Sequence, residues 1–162
     1  MVDTSQLPQL AGYLQQTLDP GLSVRRAAEK FLESVETSPG FPMLLLTAVE
    51  SSQVEPPIQM AAAIAFKNLL RRQWTSEDSK LSGEDRAAVK HAVVDLMLRA
   101  PDNIQRLLSE GIAIIADHDF PQEWDDLLPH LVSKFSTPDF NAINGVLRTA
   151  SPLFRRYTGP WR

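Results

Sequence analysis

The chain contains no cysteine in 162 residues, which excludes disulfides and thiolate chemistry and suits a reducing compartment. It has no apolar run near the ~18 residues that would suggest a membrane span, and its N-terminus lacks the apolar centre of a signal peptide. Histidines number only three, and no Gly-rich phosphate loop, nucleophile elbow or suitably spaced pair of acids is present, so nothing points to an enzyme. Positive charge is not in excess. Sixteen Lys and Arg against twenty Asp and Glu leave a net charge of -4, which argues against a dedicated nucleic-acid binder. RNA binding is the weaker reading, because exposed aromatics interleaved with basic residues are also missing. The hydrophobic share of 43% is that of a globular protein with a core, and the chain reads as soluble and intracellular.

What the sequence does have is helical periodicity throughout. Leu7, Leu10, Leu14 and Leu18 predict a first helix after Thr4 or Ser5 as N-cap. Asp19-Pro20-Gly21 turns the chain into a second helix ending near Glu36, with Val24, Ala27, Ala28, Phe31, Leu32 and Val35 inside. A third follows Phe41-Pro42, and a fourth spans Pro56 to Trp74. The polar stretch 75–83 predicts a protease-sensitive loop. Ser82 and Asp85 form a capping-box-like start for a fifth helix with Val89, Ala92, Val93, Leu96, Met97 and Ala100 inside. Ile104, Leu107, Leu108, Gly111, Ile112 and Ile115 mark a sixth. Asp119 is expected to cap a seventh, with Trp124, Leu127, Leu128, Leu131, Val132 and Phe135 inside and a kink at Pro129. After Thr137-Pro138-Asp139, an eighth carries Phe140, Ile143, Leu147, Ala150, Phe154 and Tyr157, with a second kink at Pro152. No segment alternates with period two, so the predicted fold is all-α.

The helices pair. First helices open near residues 5, 39, 83 and 120, about 34 to 44 residues apart, the spacing of two-helix solenoid repeats. Phe41-Pro42 and Phe120-Pro121 are expected to open equivalent helices, and LLRRQW and LFRRY to close equivalent ones, with Arg155 and Arg156 at a helix C-terminus where the dipole favours cations. Trp161-Arg162 follows an apolar eighth helix without a polar cap, so a fragment of a longer array is expected.

The fourth helix organises the reading. On a 100° wheel Ile58, Ala62, Ala65, Phe66 and Leu69 share the inner face, with Leu70 at its edge. The opposite face carries Met60, Ile64, Lys67, Asn68 and Arg71, a continuous stripe of apolar, amide and basic character. A purely solvated stripe would rarely include Met and Ile, so the stripe is aimed either at a neighbouring helix or at a partner. Repeat arrays present the second helix of each pair on a concave surface. There the mixed charges Arg25, Glu29, Lys67, Asn68, Arg71, Arg106 and Glu110 suit a protein partner better than a phosphate backbone. Asp117-His118-Asp119 with Glu123 has the residue types of a metal site. Consecutive residues cannot all point at one ion, however, so no metal and no cofactor is predicted.

The blocks RRAAEKFLES from Arg25, FPMLLLTAVE from Phe41 and AFKNLLRRQW ending at Trp74 resemble the N-terminal module of the importin-β (karyopherin-β) superfamily. LDPGLSVRRAAEKFLESVE, IAIIADHDFPQEWDDLL and INGVLRTASPLFRRY are similar to an export receptor within it. The resemblance implies a right-handed α-solenoid of about four HEAT repeats, with a module binding the GTPase Ran at about residues 4–100 and further repeats at about 101–158. It implies a receptor, shuttling between nucleus and cytoplasm, that exports importin-α together with Ran in its GTP form and also meets nuclear pore proteins. Carried over by the motif FKN, the Ran contact falls on Lys67 and Asn68, with Met60, Ile64 and Arg71 on the same face. Lys30 and Glu33 on the second helix and Ser109 and Glu110 on the sixth are further candidates. A receptor of the superfamily with another cargo, or a helical-repeat scaffold with no GTPase partner, are the alternatives.

Overall fold

Proline and glycine set where most helices of this chain begin. The computed structural model describes residues 4–134 and 139–158. Among them a 3-10 turn, Thr4–Gln6, leads into α1 (Leu7–Gln16), α2 (Leu22–Val35), α3 (Phe41–Glu50) and α4 (Pro56–Gln73). These are followed by α5 (Gly83–Arg99), α6 (Asp102–Asp119), α7 (Leu127–Ser133) and α8 (Phe140–Thr158). The fold is all-α, and no helix among the described residues is long and apolar enough to cross a membrane. Pro8, Pro42 and the pair Pro56 and Pro57 stand in the first turns of α1, α3 and α4, where the missing N–H has no intrahelical acceptor. Gly40, at φ 81°, takes the left-handed turn before α3 that a side chain would resist.

The chain forms two compact units, Met1–Val89 and Lys90–Arg162, the division falling inside α5. In the first unit α3 lies along α4, and α1 packs on α2, α3 and α4. Leu14, Leu45, Ala62, Phe66, Leu70 and Trp74 are almost fully buried in its core. Trp74 ends α4, its carbonyl accepting a 2.8 Å bond from Arg86 Nη1, while the same guanidinium lies 4.9 Å from the indole ring. That clamp ties the end of α4 to the start of α5 across the exposed turn that the polar composition predicts.

The inner faces of α1 and α2 are narrower than the periodicity suggests. Gln6, with no side-chain bond, stands at the N-cap of α1 instead of Thr4 or Ser5. Leu18 lies beyond the end of α1 and is 50% exposed. On α2 only Ala28 and Leu32 are buried, Val24 is exposed, and Phe31 stacks on Tyr13 with centroids 4.0 Å apart. The capping box at α5 forms by half. Ser82 Oγ accepts the Asp85 N–H at 3.1 Å, but the Asp85 carboxylate accepts the Gly40 N–H instead of returning to Ser82.

In the second unit α6 and α7 pack on α8. Gln105, wholly buried, donates to the Asn141 carbonyl at 2.9 Å and to that of Met97 at 3.4 Å, and Asn141 donates to the carbonyls of Ala100 and Leu98. These amides satisfy carbonyls that the end of α5 leaves open. The buried face of α8 is only partly the expected one: Ala150 is buried as expected, together with Ala142, Gly145, Val146, Thr149 and Leu153, whereas Phe140 is 82% and Leu147 51% exposed.

The seventh helix departs most from expectation. Asp119 does not cap it but closes α6, its carboxylate engaging Lys90 and the His118 ring. A turn with a cis Phe120–Pro121 bond follows α6, and α7 begins only at Leu127: this Phe-Pro step, unlike Phe41-Pro42, opens no helix. Pro129 stands third in α7, within the first turn, where it displaces no intrahelical bond and no kink follows. Trp124, Leu127 and Leu131 are buried, but Val132 is 54% exposed. The expectations for Phe135, Thr137 and Pro138 lie outside the described residues, as do those for the side chains of Phe154 to Tyr157.

Candidate functional site

On α4 the apolar face is wide. Ile58, Ala61, Ala62, Ala63, Phe66, Leu69 and Leu70 are all buried, and Ala65 is half-buried. Three consecutive small side chains inside the structure mean that neighbouring backbone covers more than one side of the helix, which leaves a single outward stripe. Met60, Lys67 and Asn68 on that stripe are half-buried, Ile64 is 40% exposed and Arg71 is exposed. The five residues therefore do share one accessible face of the first unit. The part of Ile64 left uncovered between an amide and a cation adds nothing to folding, because that apolar surface stays in water.

Arg71 and Arg72 diverge although both stand in the last turn of α4. Arg71 makes no ion pair among the described residues. Arg72 turns toward α2, where Nη2 lies 2.6 Å and Nε 3.1 Å from Glu36 Oε2, and Glu33 lies 3.8 Å away. Gln73 adds a 2.7 Å bond to Glu36 Oε1. Glu36 sits at the C-cap of α2 and is only 4% exposed. An acid at that end of a helix opposes the dipole and would not stay buried alone, so Arg72 and Gln73 are what hold it there. The Glu36 hydrogen bond raises the Arg72 guanidinium above its ordinary pKa, burial works against this, and the charges of Glu36 and Glu33 add to the rise. Through this network the C-terminal ends of α2 and α4 are held together. Glu33 thereby lies beside Arg72 at the C-terminal end of α4, and Lys30 is exposed one turn earlier on α2.

The second unit carries the remaining candidates. Glu110 on α6 is exposed, but Ser109 is 7% exposed and accepts a hydrogen bond from Thr149 of α8 at 3.5 Å. Ser109 is therefore a packing residue and does not face a partner. Among the described residues no group of three or more acids and histidines could hold a metal ion, and Asp119 is engaged by Lys90 and His118. Periodicity does not reveal the Arg72–Glu36 pair. The one signal for it is the acidic residue at the wrong end of α2.

Comparison with known proteins bears on this geometry. Residues 28–99 match the family model of the Importin-beta N-terminal domain, a stretch that holds most of α2, all of α3 and α4, and α5. The chain is 50% identical over 159 residues to Exportin-2 of Oreochromis niloticus, covering 96% of this chain and 16% of that protein. It is 49% identical over 156 residues to Exportin-2 of Homo sapiens, covering 94% and 16%. A solved structure titled "The exportin Cse1 in its cargo-free, cytoplasmic state" superposes with a TM-score of 0.83 at 32% identity, covering 95% of this chain and 17% of that one. The chain thus spans about a sixth of the length of the relatives it matches. From the matched domain, the identity along almost the whole chain and the shared helical architecture, we conclude that this chain belongs to the importin-β superfamily.

Proposed function

We propose that this chain is the Ran-binding N-terminal segment of a nuclear export receptor, one that returns importin-α from the nucleus to the cytoplasm. The observation that carries the reading is about 50% identity to Exportin-2 along 96% of the chain. The exposed α4 stripe lies inside the residues matched to the Importin-beta N-terminal domain and supports it. Met60 and Ile64 supply apolar contact, Lys67, Asn68 and Arg71 supply amide and cationic donors, and Lys30 and Glu33 border them from α2. Glu110 is a peripheral candidate. The Ran module occupies about residues 4–100, and further repeats follow at about 101–158.

The protein works by binding, without catalysis, and it shuttles between nucleus and cytoplasm. Contacts made only with the GTP form of Ran stabilise the cargo-bound shape of the receptor, and hydrolysis removes them. A difference of 1.4 kcal/mol between the two nucleotide forms changes affinity tenfold. Importin-α and nuclear pore proteins are partners of the full-length receptor.

The test is a titration of the chain against Ran loaded with a non-hydrolysable GTP analogue and, separately, with GDP. Binding confined to the GTP form supports the reading. Equal binding to both forms removes the switch from this segment, and binding to neither places the Ran contact in repeats outside it.

A further inference from the structure

The first unit also holds a cleft of about 720 Å³, lined by residues of α1, α2 and α3 and the start of α5. Its walls are largely apolar, with Tyr13 and Phe31 already stacked at 4.0 Å and 17° as a rigid aromatic side. The charged side chains that line it are Glu84 and Asp85, and no lysine or arginine is among its lining residues. Asp85 is 7% exposed. Its Oδ1 accepts the Gly40 N–H at 3.1 Å, while Oδ2 is buried with no hydrogen-bond partner. A carboxylate oxygen left in that state is costly, because ionised acids accept several bonds and those lost from water must be replaced. The N-terminus of α5 favours a negative charge there but supplies no bond to Oδ2.

The missing complement is a cationic N–H donor. A guanidinium fits better than an ammonium, since its planar fork can reach a carboxylate while its faces lie against aromatic rings. The cleft exceeds what one guanidinium fills, and its apolar walls call for apolar neighbours on the same ligand. Gln6 and Gln9 on its border offer amides to a peptide backbone. We propose that this cleft binds an arginine-containing, otherwise apolar peptide segment of a partner protein, with the guanidinium ion-paired to Asp85 and the flanking side chains against the Tyr13–Phe31 wall. The site uses none of the α4 stripe, so it stands or falls independently of Ran binding.

The experiment is a titration of the 15N-labelled chain with acetyl-Leu-Arg-Phe-amide, followed by NMR. In parallel, the same peptide is used with citrulline, arginine's neutral isostere, and the Asp85→Asn variant is titrated with the arginine peptide. Asparagine keeps an acceptor for the Gly40 N–H, so the fold has no reason to change. Expected are saturable shifts at Gly40, Tyr13 and Ala88, and at least about tenfold weaker binding for the citrulline peptide and for Asp85→Asn, the loss ascribed to one charge-assisted bond. Absence of saturable shifts, or equal binding of the arginine and citrulline peptides, overturns the proposal. So does undiminished binding to a folded Asp85→Asn chain; if that variant unfolds, the citrulline comparison on the unaltered chain decides. Agmatine binding as tightly as the peptide would overturn the peptide assignment.

Discussion

Replacing Arg72 by Met would keep much of its packing but leave Glu36, 4% exposed, with Gln73 as its remaining side-chain donor. Because the Arg72 side chain is itself 39% exposed, the loss is expected below that of a fully buried pair, at roughly 1–3 kcal/mol in urea unfolding. Arg71→Ala, one residue away, is expected to change stability by no more than about 0.5 kcal/mol while weakening Ran-GTP binding. Together the two variants separate a guanidinium that holds the fold from one that is presented. Asp102 gives a pH signature. A hydrogen bond from Arg148 holds this carboxyl below the usual range; desolvation works against it, and the charges of Arg148 and Arg106 add to the lowering. A folded-state pKa below the unfolded value of about 3.9 means a contribution present above that pH and lost as pH falls through the folded value. Asp102→Asn should therefore lose a small contribution above about pH 4, small because the carboxyl is exposed, and converge with the unaltered chain in acid, which flattens the acid limb of the stability profile, as measured by denaturation at stepped pH.

At the scale of the element, α4 has two faces that mutation can tell apart. Phe66→Ala, at a fully buried position, is expected to cost about 3–5 kcal/mol. Ile64→Ala, at 40% exposure, should cost under about 1 kcal/mol, yet it should reduce Ran-GTP affinity; an unchanged affinity would move the contact off this stripe. In α8, a Cβ built on Gly145 would stand 2.8 Å from Met97 Sδ, 2.9 Å from Gln105 Nε2 and 3.0 Å from Leu98 Cδ2. Gly145→Ala is thus expected to destabilise by about 1–3 kcal/mol despite alanine's better helix propensity, measurable as a lowered Tm. This helix also shows why periodicity misled. Large apolar residues such as Phe140 and Leu147 outweigh Gly145 and Thr149 on a hydrophobic wheel. The buried face is nevertheless the small one, because close approach to Met97 and Gln105 leaves no room for bulk. The failure at α7 has a similar source. Asp119 has the right identity for an N-cap, but an ion pair with Lys90, distant in sequence, engages it at the end of α6.

At the scale of the whole molecule, the chain covers about a sixth of its relatives, and the proposed coupling of Ran to cargo depends on repeats beyond it. The chain alone is expected to bind Ran-GTP weakly and importin-α not measurably in the same titration. Capture of importin-α by this segment alone would show that the cargo contact lies here. What the sequence by itself determined is the all-α class, the eight α-helices found among the described residues, the turn after Trp74 and the α4 stripe. Those properties follow from local periodicity and from where proline and glycine break it, and neither needs knowledge of distant residues. Tertiary structure alone decided which arginine of the Arg71-Arg72 pair is tied to Glu36, that Ser109 faces inward, that α8 buries its small side, and that Asp85 lies in a cleft with Gly40. Each of these depends on a pairing of residues about 36 to 45 positions apart, such as Glu36 with Arg72, Ser109 with Thr149 and Gly40 with Asp85. The period of one helix carries no information about the side chain that another helix brings to meet it.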